Sequence, residues 1–153
     1  MKCVNSRSRE YLPTDLTEAL SSMASAKNGL NVCILGASDS GKTHLAKAIG
    51  IAACQDFKVE YHHCESFLGN LVALKNADYV KYERKLKLLT KLDLLILDDF
   101  LLHTITDERE VKILFMILEK CCESEKSTIV CLQREPKSWA SMILNDEVQP
   151  IPL

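Results

Sequence analysis

The segment from residue 36 to residue 43 carries the residue types that bind phosphate. Its sequence, GASDSGKT, fits the pattern GxxxxGK followed by Ser or Thr at every fixed position. The glycines allow backbone N–H groups to point at phosphate oxygens, and a helix that starts directly afterwards adds its positive end. The lysine of this pattern reaches the β- and γ-phosphates, and the last hydroxyl takes a position on Mg²⁺. We therefore expect ATP and Mg²⁺ to be bound by Gly36, Ala37, Ser38, Asp39, Ser40, Gly41, Lys42, Thr43 and the adjacent His44.

Two consecutive carboxylates follow a strongly apolar segment later in the chain. Residues 94–97 are all Leu or Ile, and they lead directly into Asp98 and Asp99. Ligands of open α/β sheets bind at the carboxyl ends of the strands, so these side chains are predicted to lie beside the phosphate loop. We expect Asp98 to hold Mg²⁺ together with Thr43, and Asp99 to orient the water that attacks the phosphate. The alternative is that the pair simply ends a strand and begins a turn.

The elements that must position these groups follow from the hydrophobic pattern. Buried strands are expected at residues 31–35, 58–62, 94–97 and 128–132, and helices at 15–26, 42–55, 65–75, 78–92, 106–124 and 138–144. Strands that alternate with helices predict a three-layer α/β fold with a mainly parallel sheet. We expect an N-terminal extension over residues 1–30, a ligand-binding domain over 31–148 and a short tail over 149–153.

Composition and charge exclude several classes of protein. A chain of 153 residues with 47% hydrophobic and 26% charged residues is typical of one globular domain. A net charge of −2 gives the whole molecule no strong attraction to nucleic acid, although a local basic patch is compatible with it. No apolar run approaches the ~20 residues of a membrane-spanning helix, and the first ten residues lack the apolar stretch of a secretory signal. We therefore expect a cytoplasmic protein without membrane contact.

The seven cysteines are interpreted as thiols rather than disulfides. Their number is odd, and Cys33, Cys54 and Cys131 lie in apolar segments that are predicted to be buried. Because no CxxC pair is present, zinc has little support. The run from His62 to Cys64 is not predicted to bind metal either, since adjacent residues of an extended segment point to opposite faces.

These residues together resemble the IstB/DnaC-like ATPases, which are AAA+ proteins that serve insertion-sequence transposition or load the replicative helicase. The resemblance is carried by Asn31–Thr43 with the following HLA, by Asp93–Asp99, by residues 127–130 and by Trp139, and it extends from about residue 30 to residue 148. It implies an AAA+/RecA-like fold and an ATP-dependent ATPase that assembles on DNA, with a transposase or replicative helicase as partner and a homo-oligomer as the assembly. It also implies that Gln133 is the sensor residue for the γ-phosphate or the attacking water.

Two departures from the family pattern bear on hydrolysis and on the edge of the sheet. Asp99 stands where many AAA+ members carry glutamate, and its shorter reach predicts slower turnover. The chain also ends soon after Val148, before the segment in which the family carries its arginine finger, the last strand of the sheet and the lid. Without that strand, Asn31–Leu35 is expected to form an open, apolar sheet edge. We expect the chain to bind nucleotide and to hydrolyse it weakly on its own.

Basic residues cluster on the predicted helix 78–92, in a neighbourhood that contacts DNA in the family. The cluster consists of Lys81, Arg84, Lys85, Lys87 and Lys91, with Tyr79 and Tyr82 nearby. The alternative is a solvated helix in which Glu83 pairs with Lys87.

Three functions remain open at this point. The leading one is an ATPase that assists DNA transposition or replication, and the alternative is a nucleotide-binding interaction protein that does not hydrolyse ATP. A small-molecule kinase is the third, and the absence of an arginine-rich lid segment after the third strand argues against it.

Overall fold

The computed structural model describes the backbone of residues 2–5 and all atoms of residues 31–134. The helices expected at 15–26 and 138–144, Trp139 and the tail 149–153 lie outside the described residues. The expected domain boundaries at residues 30 and 148 therefore stay predictions.

The described chain alternates strands with helices, as the hydrophobic pattern predicts. The strands are β1 (Lys2–Asn5), β2 (Asn31–Leu35), β3 (Val59–His63), β4 (Leu94–Asp98) and β5 (Ser127–Leu132). The helices are α1 (Lys42–Ala53), α2 (Cys64–Ala77), α3 (Tyr79–Leu89) and α4 (Glu108–Glu123). We find none among them whose length and apolarity would let it span a lipid bilayer. Within the described ranges, each predicted element from residue 31 onward is present. The strand at 31–35 matches at both ends, and the others differ by one to three residues at an end.

The strands form one parallel sheet with the order β1-β2-β5-β4-β3. Each residue of β4 and β5 is buried, because helices cover both faces of these central strands. The sheet is in register so that His63 at the end of β3 stands opposite Asp98 at the end of β4. The carboxyl ends of β2, β3, β4 and β5 consequently meet at one edge, where a ligand of an open α/β sheet binds.

The expected open edge at β2 is not observed. Lys2–Asn5 pairs with β2 in parallel, with Cys3 opposite Cys33. The prediction was wrong because residues near the N-terminus supply an edge strand, whereas the prediction rested on the segment after Val148. A strand of four residues is too short to show a periodicity of its own, and its partner lies 30 positions away in sequence.

The two faces of the sheet bury different clusters, as the alternation of side chains along a strand requires. Helix α1 packs on the face that carries Ile34, Ile96 and Ile129. The other three helices cover the opposite face with the larger cluster. Gly50, near the C-terminal end of α1, lets this helix pack closely on the sheet, because a Cβ atom there would lie 3.1 Å from Ile96 Cδ1.

The cysteines differ partly from expectation. Cys33 and Cys131 are buried as predicted, but Cys54 is exposed, because it follows the last residue of α1. The apolar residues of this segment continue to Cys54, whereas the last buried residue of the helix is Gly50. In the part of the chain that the structure describes, no pair of cysteines forms a disulfide. Burial raises the pKa of the Cys64 thiol to about 12, so this side chain behaves as a small core residue.

Candidate functional site

Hydrogen bonds to the end of β5 and within the loop fix the segment between β2 and α1. The N–H of Gly36 donates to the carbonyl of Leu132 at 3.1 Å, which ties the loop to the end of β5. The N–H of Ser40 donates to the carbonyl of Ala37 at 3.3 Å, and the Lys42 ammonium donates to the same carbonyl at 2.6 Å. Lys42 is therefore buried and held in place within the loop. Gly36 and Ala37 form the base of the loop and do not line the cleft described below.

The first residues of α1 leave their backbone N–H groups available. Gly41 precedes the helix with φ 85°, a left-handed conformation that glycine adopts without strain. No side chain caps the helix, and its first turn contains no acidic residue. The first N–H groups of an α-helix have no partner within the helix and carry its positive end. This end is therefore suited to an anion such as phosphate.

Asp98 is fully buried at the end of β4, and hydrogen-bond donors surround its carboxylate. The Tyr61 hydroxyl donates to Oδ2 at 2.5 Å, and the N–H of Asp99 donates to Oδ1 at 2.9 Å. The Thr43 hydroxyl and the Cys131 thiol also donate to this carboxylate. Burial acts to raise the pKa of Asp98, but the hydrogen bonds from Tyr61, Thr43 and Asp99 outweigh it and hold the pKa below its ordinary value. Asp98 is thus an anion at neutral pH.

The buried anion and the adjacent hydroxyl fit a magnesium ion. Mg²⁺ prefers oxygen ligands and is held in proteins by one or two carboxylates with water and substrate phosphates. Thr43 and Asp98 supply a hydroxyl and a carboxylate, and the hydrogen bond between them shows that their oxygens lie together. These are the two residues that the sequence pattern predicts as ligands.

Asp99 and His63 lie beside this pair. The Asp99 backbone has φ 51°, a conformation that is rare for residues other than glycine and that clusters at functional sites. Asp99 Oδ2 lies 3.3 Å from Nδ1 of His63. His63, Asp98 and Asp99 each offer a ligand atom within 4.8 Å of one another. The run from His62 to Cys64 was not predicted to bind metal, but His63 lies with the acidic pair because its strand ends next to β4.

The end of β5 contributes Gln133 to the same place. Its Nε2 donates to the Ser38 hydroxyl at 3.1 Å, which links the residue after β5 to the phosphate loop. This is the position that the family resemblance predicts for a sensor of the γ-phosphate. The contact with Ser38 shows that the side chain reaches the loop.

These groups surround one open cleft of about 490 Å³, which lies in the size range of small-molecule sites. It is lined by residues 38–44 of the loop and helix start, by Lys47, and by Asp99 and Gln133. The structure thus brings the predicted loop residues, Asp99 and Gln133 to one surface, with Asp98 buried behind them. Their roles in binding and hydrolysis stay predictions.

Sequence reasoning missed three residues at this site. Lys47 lies one turn after Thr43 on α1, and its ammonium lies 5.2 Å from the centre of the Tyr61 ring. Tyr61 and His63 lie on β3, and their rings meet edge to face at 5.5 Å. Their period-two spacing in the predicted second strand indicates a shared face. The pairing of β3 with β4 that places them beside Asp98 is not visible in the sequence.

The basic residues on and after α3 differ in their exposure to solvent and in their ion pairs. Arg84, Lys87 and Lys91 are exposed, and so is Tyr79. Lys81 is exposed as well, and its ammonium lies 3.5 Å from the Asp78 carboxylate. Tyr82, in contrast, is buried, and its ring belongs to the hydrophobic core. Lys85 is half-buried and donates to Glu60 at 2.8 Å. The predicted basic cluster is therefore smaller than the sequence suggests.

Comparison with known proteins places the chain in a family. The family model of the IstB-like ATP binding protein matches residues 4–150. An ATP-binding protein assigned to insertion sequence IS232 of Bacillus thuringiensis subsp. berliner is 37% identical over 110 residues, which are 71% of this chain and 42% of that protein. An insertion-sequence ATP-binding protein of Sinorhizobium fredii is 33% identical over 116 residues, 75% of this chain and 46% of that protein. The chain spans less than half the length of both relatives.

Solved structures with the same fold come from replication proteins. The replication initiator DnaA bound to AMPPCP and single-stranded DNA matches with a TM-score of 0.68 and 28% identity, over 80% of this chain and 37% of that one. The DnaC helicase loader matches with a TM-score of 0.64 over 90% of this chain and 82% of its own. At 20% identity, the second match shows the fold alone. The predicted AAA+ P-loop architecture is confirmed, and the chain belongs to the family of IstB-like ATP binding proteins.

Proposed function

We propose that the chain binds ATP with Mg²⁺ in the cleft at the start of α1 and works as an ATPase that assembles on DNA during transposition or replication. The observation that carries the proposal is the uncapped N-terminus of α1 beside Asp98, a buried anion that Thr43 already contacts. A positive helix end for phosphate and an oxygen site for Mg²⁺ lie next to each other there.

Each residue of the site has a distinct part in the proposed reaction. The loop N–H groups and Lys42 hold the phosphates, and Lys42 exchanges its bond to the Ala37 carbonyl for phosphate oxygens. Thr43 and Asp98 hold Mg²⁺, which when bound neutralises charge on the β- and γ-phosphates. Asp99 orients the attacking water, and its contact with His63 holds the carboxylate in place. Gln133 contacts the γ-phosphate or the water from the end of β5.

The proposed hydrolysis depends on assembly. Lysines 42 and 47 line the cleft, but among the residues that the structure describes no arginine does. An arginine finger contributes about 10³–10⁵ to the rate in related NTPases. We therefore propose that a second copy of the chain or another partner supplies this group, and that the isolated chain turns over slowly.

The proposed DNA contact lies on α3. Arg84 and Lys87 are exposed there with Tyr79, and exposed Lys91 follows the end of the helix, a combination that suits phosphates and unstacked bases. The likeness to DnaA bound to single-stranded DNA supports this assignment. The names of the insertion-sequence relatives support transposition, with a transposase as partner. Replication, with the replicative helicase as partner, is the second possibility, and the likeness to the replication initiator DnaA supports it.

The test is a calorimetric titration of the chain with Mg·ATP, alongside Lys42→Ala. Saturable binding that weakens by at least about 100-fold in the variant is expected, because a charged contact to two phosphates is lost. Lys112→Ala is the matched control, since this exposed lysine lies on α4, across the sheet from the cleft. No binding by a folded wild-type chain would refute the proposal.

The second candidate is a nucleotide-binding interaction protein that does not hydrolyse ATP. It is favoured by the short Asp99 side chain at the position of the water-orienting residue, and by the lack of an arginine among the described residues that line the cleft. Phosphate release at increasing protein concentration, with and without single-stranded DNA, separates the two. Release that rises more steeply than protein concentration supports the assembled ATPase, whereas release that stays at background under all conditions supports the second candidate.

A further inference from the structure

We propose that Tyr61 is a positioning residue that fixes the Asp98 carboxylate for Mg²⁺. This inference rests on the proposed function, because Asp98 is the proposed magnesium ligand. It assigns a role to a hydroxyl group that the phosphate-loop pattern and the acidic pair do not include.

The two oxygens of Asp98 are each held by a donor with a fixed position. The Tyr61 hydroxyl binds Oδ2 at 2.5 Å, and the Asp99 N–H binds Oδ1 at 2.9 Å. With one donor on each oxygen, the carboxylate cannot rotate about its Cβ–Cγ bond without losing a hydrogen bond to a charged group. Such bonds are short and roughly twice as strong as neutral ones. The Asp99 N–H belongs to the backbone of the same strand end, whereas Tyr61 ties Asp98 to β3.

Tyr61 and Thr43 reach Asp98 from two different elements. Thr43 contacts the carboxylate from the start of α1, whereas Tyr61 contacts it from β3. In the sheet register, Tyr61 stands opposite Ile96, one side-chain repeat before the Asp98 position. A side chain leaning along its strand can therefore reach the carboxylate. Asp98 is held between the element that binds phosphate and the outer strand of the sheet.

The Tyr61 ring is itself held by neighbours of the cleft. The Lys47 ammonium lies 5.2 Å from the centre of the ring, within the range of a cation–π contact. The His63 ring meets it edge to face at 5.5 Å, and His63 in turn contacts Asp99 at 3.3 Å. The aromatic ring thus connects α1, Asp98 and Asp99. A ring restrained in this way delivers its hydroxyl to a defined point.

The hydroxyl and the ring can be separated by one substitution. The ring packs against the apolar cluster below α1, and phenylalanine keeps that packing. Tyr61→Phe therefore removes one donor from Asp98 without creating a cavity. If the hydroxyl serves the fold, stability falls and each ligand is affected equally. If it positions Asp98, the loss appears selectively when Mg²⁺ is present.

The experiment compares ATP binding in excess EDTA with ATP binding at saturating Mg²⁺, by calorimetry on the whole chain. We expect Tyr61→Phe to weaken binding of Mg·ATP by about tenfold, the size of a hydrogen bond to a charged group. Binding of ATP in EDTA should change by less than about twofold, because the loop and Lys42 are untouched. Tyr82→Phe is the matched control, since it removes another tyrosine hydroxyl, from a buried ring on α3.

A double-mutant cycle with Asp98→Asn tests whether Tyr61 acts through Asp98. In the Asp98→Asn background, Tyr61→Phe should have no further effect on Mg·ATP binding. An equal loss in EDTA and in Mg²⁺, an unchanged Mg·ATP affinity, or a variant that does not fold would each overturn the inference. If wild type binds Mg·ATP and Tyr61→Phe matches it, this inference alone is wrong. If wild type does not bind Mg·ATP at all, the proposed function fails with it.

Discussion

The N-termini of α1 and α4 meet the same physical requirement in opposite ways. Both helices begin with backbone N–H groups that have no partner within the helix. At α4, Asp107 accepts from the N–H of Arg109 at 2.9 Å, and Glu108 and Glu110 add negative charge to the first turn. At α1, Gly41 offers no side chain and the first turn has no acidic residue. One helix end is neutralised by the protein, and the other is left for a ligand.

The difference shows how a binding site can be distinguished from ordinary structure. Helix α3 is capped like α4, because Asp78 accepts from the N–H of Lys81 at 3.0 Å. Helix α2 has no side-chain cap either, but Glu65 adds negative charge to its first turn. Among the four helices that the structure describes, α1 alone has neither a side-chain cap nor an acidic residue in its first turn. Such an exception is expected where a ligand completes the structure. The uncapped end of α1 also lies beside the buried Asp98. A helix end at an unrelated surface position would not have this neighbour.

The strongest way to break the comparison is to give α1 the carboxylate that α4 has. Gly41→Asp places a negative charge where phosphate is expected, and we predict that Mg·ATP affinity falls by at least about 100-fold. Calorimetry measures the loss. Gly41→Ala is the control, because a Cβ atom has open space there and the left-handed φ is its main cost. If the two variants bind equally weakly, backbone strain explains the effect and the charge argument is wrong.

A smaller change sharpens the comparison by removing an existing charge. Asp39 lines the cleft with φ 59°, so Asp39→Gly removes backbone strain and a carboxylate from the phosphate loop. We predict tighter Mg·ATP binding by about three- to tenfold, since the charge is exposed and screened by salt. The melting temperature should rise as well, by a few degrees at most.

Glu125 provides the control for this change. It is also acidic, has φ 54°, and follows α4, where its N–H donates to the carbonyl of Cys122. Glycine is the favoured residue at such a helix end, so Glu125→Gly should raise the melting temperature similarly. It should leave nucleotide affinity unchanged, because it lies outside the cleft. Tighter binding in both variants would attribute the gain to stability and contradict the role of the Asp39 charge.

The parts that sequence predicted well are those encoded within one short segment. The phosphate loop, the apolar run before Asp98 and the helix that Asp107 caps each carry their pattern within a short stretch of neighbouring residues. Strand β1 was missed because its four residues act only through pairing with β2. The contact of Tyr61 with Asp98 was missed for the same reason, since it joins residues 37 positions apart across two strands. Local chemistry is visible in a sequence, whereas contacts set by strand order are not.

The smallest predicted effect concerns the capped helix α4, and it tests whether this cap serves stability alone. Asp107→Ala removes the cap of α4 and should lower the melting temperature by about 3–5 °C at neutral pH. Nucleotide affinity should not change.

The hydrogen bonds from the Arg109 side chain and N–H hold the pKa of Asp107 below its ordinary value of 3.8. The stabilisation is thus complete above pH 3.8 and is lost as pH falls through the lower folded-state pKa. Thermal melts of both proteins should therefore differ at pH 7 and converge in acid, and a gap that persists below the folded-state pKa would contradict the role of the ionised cap.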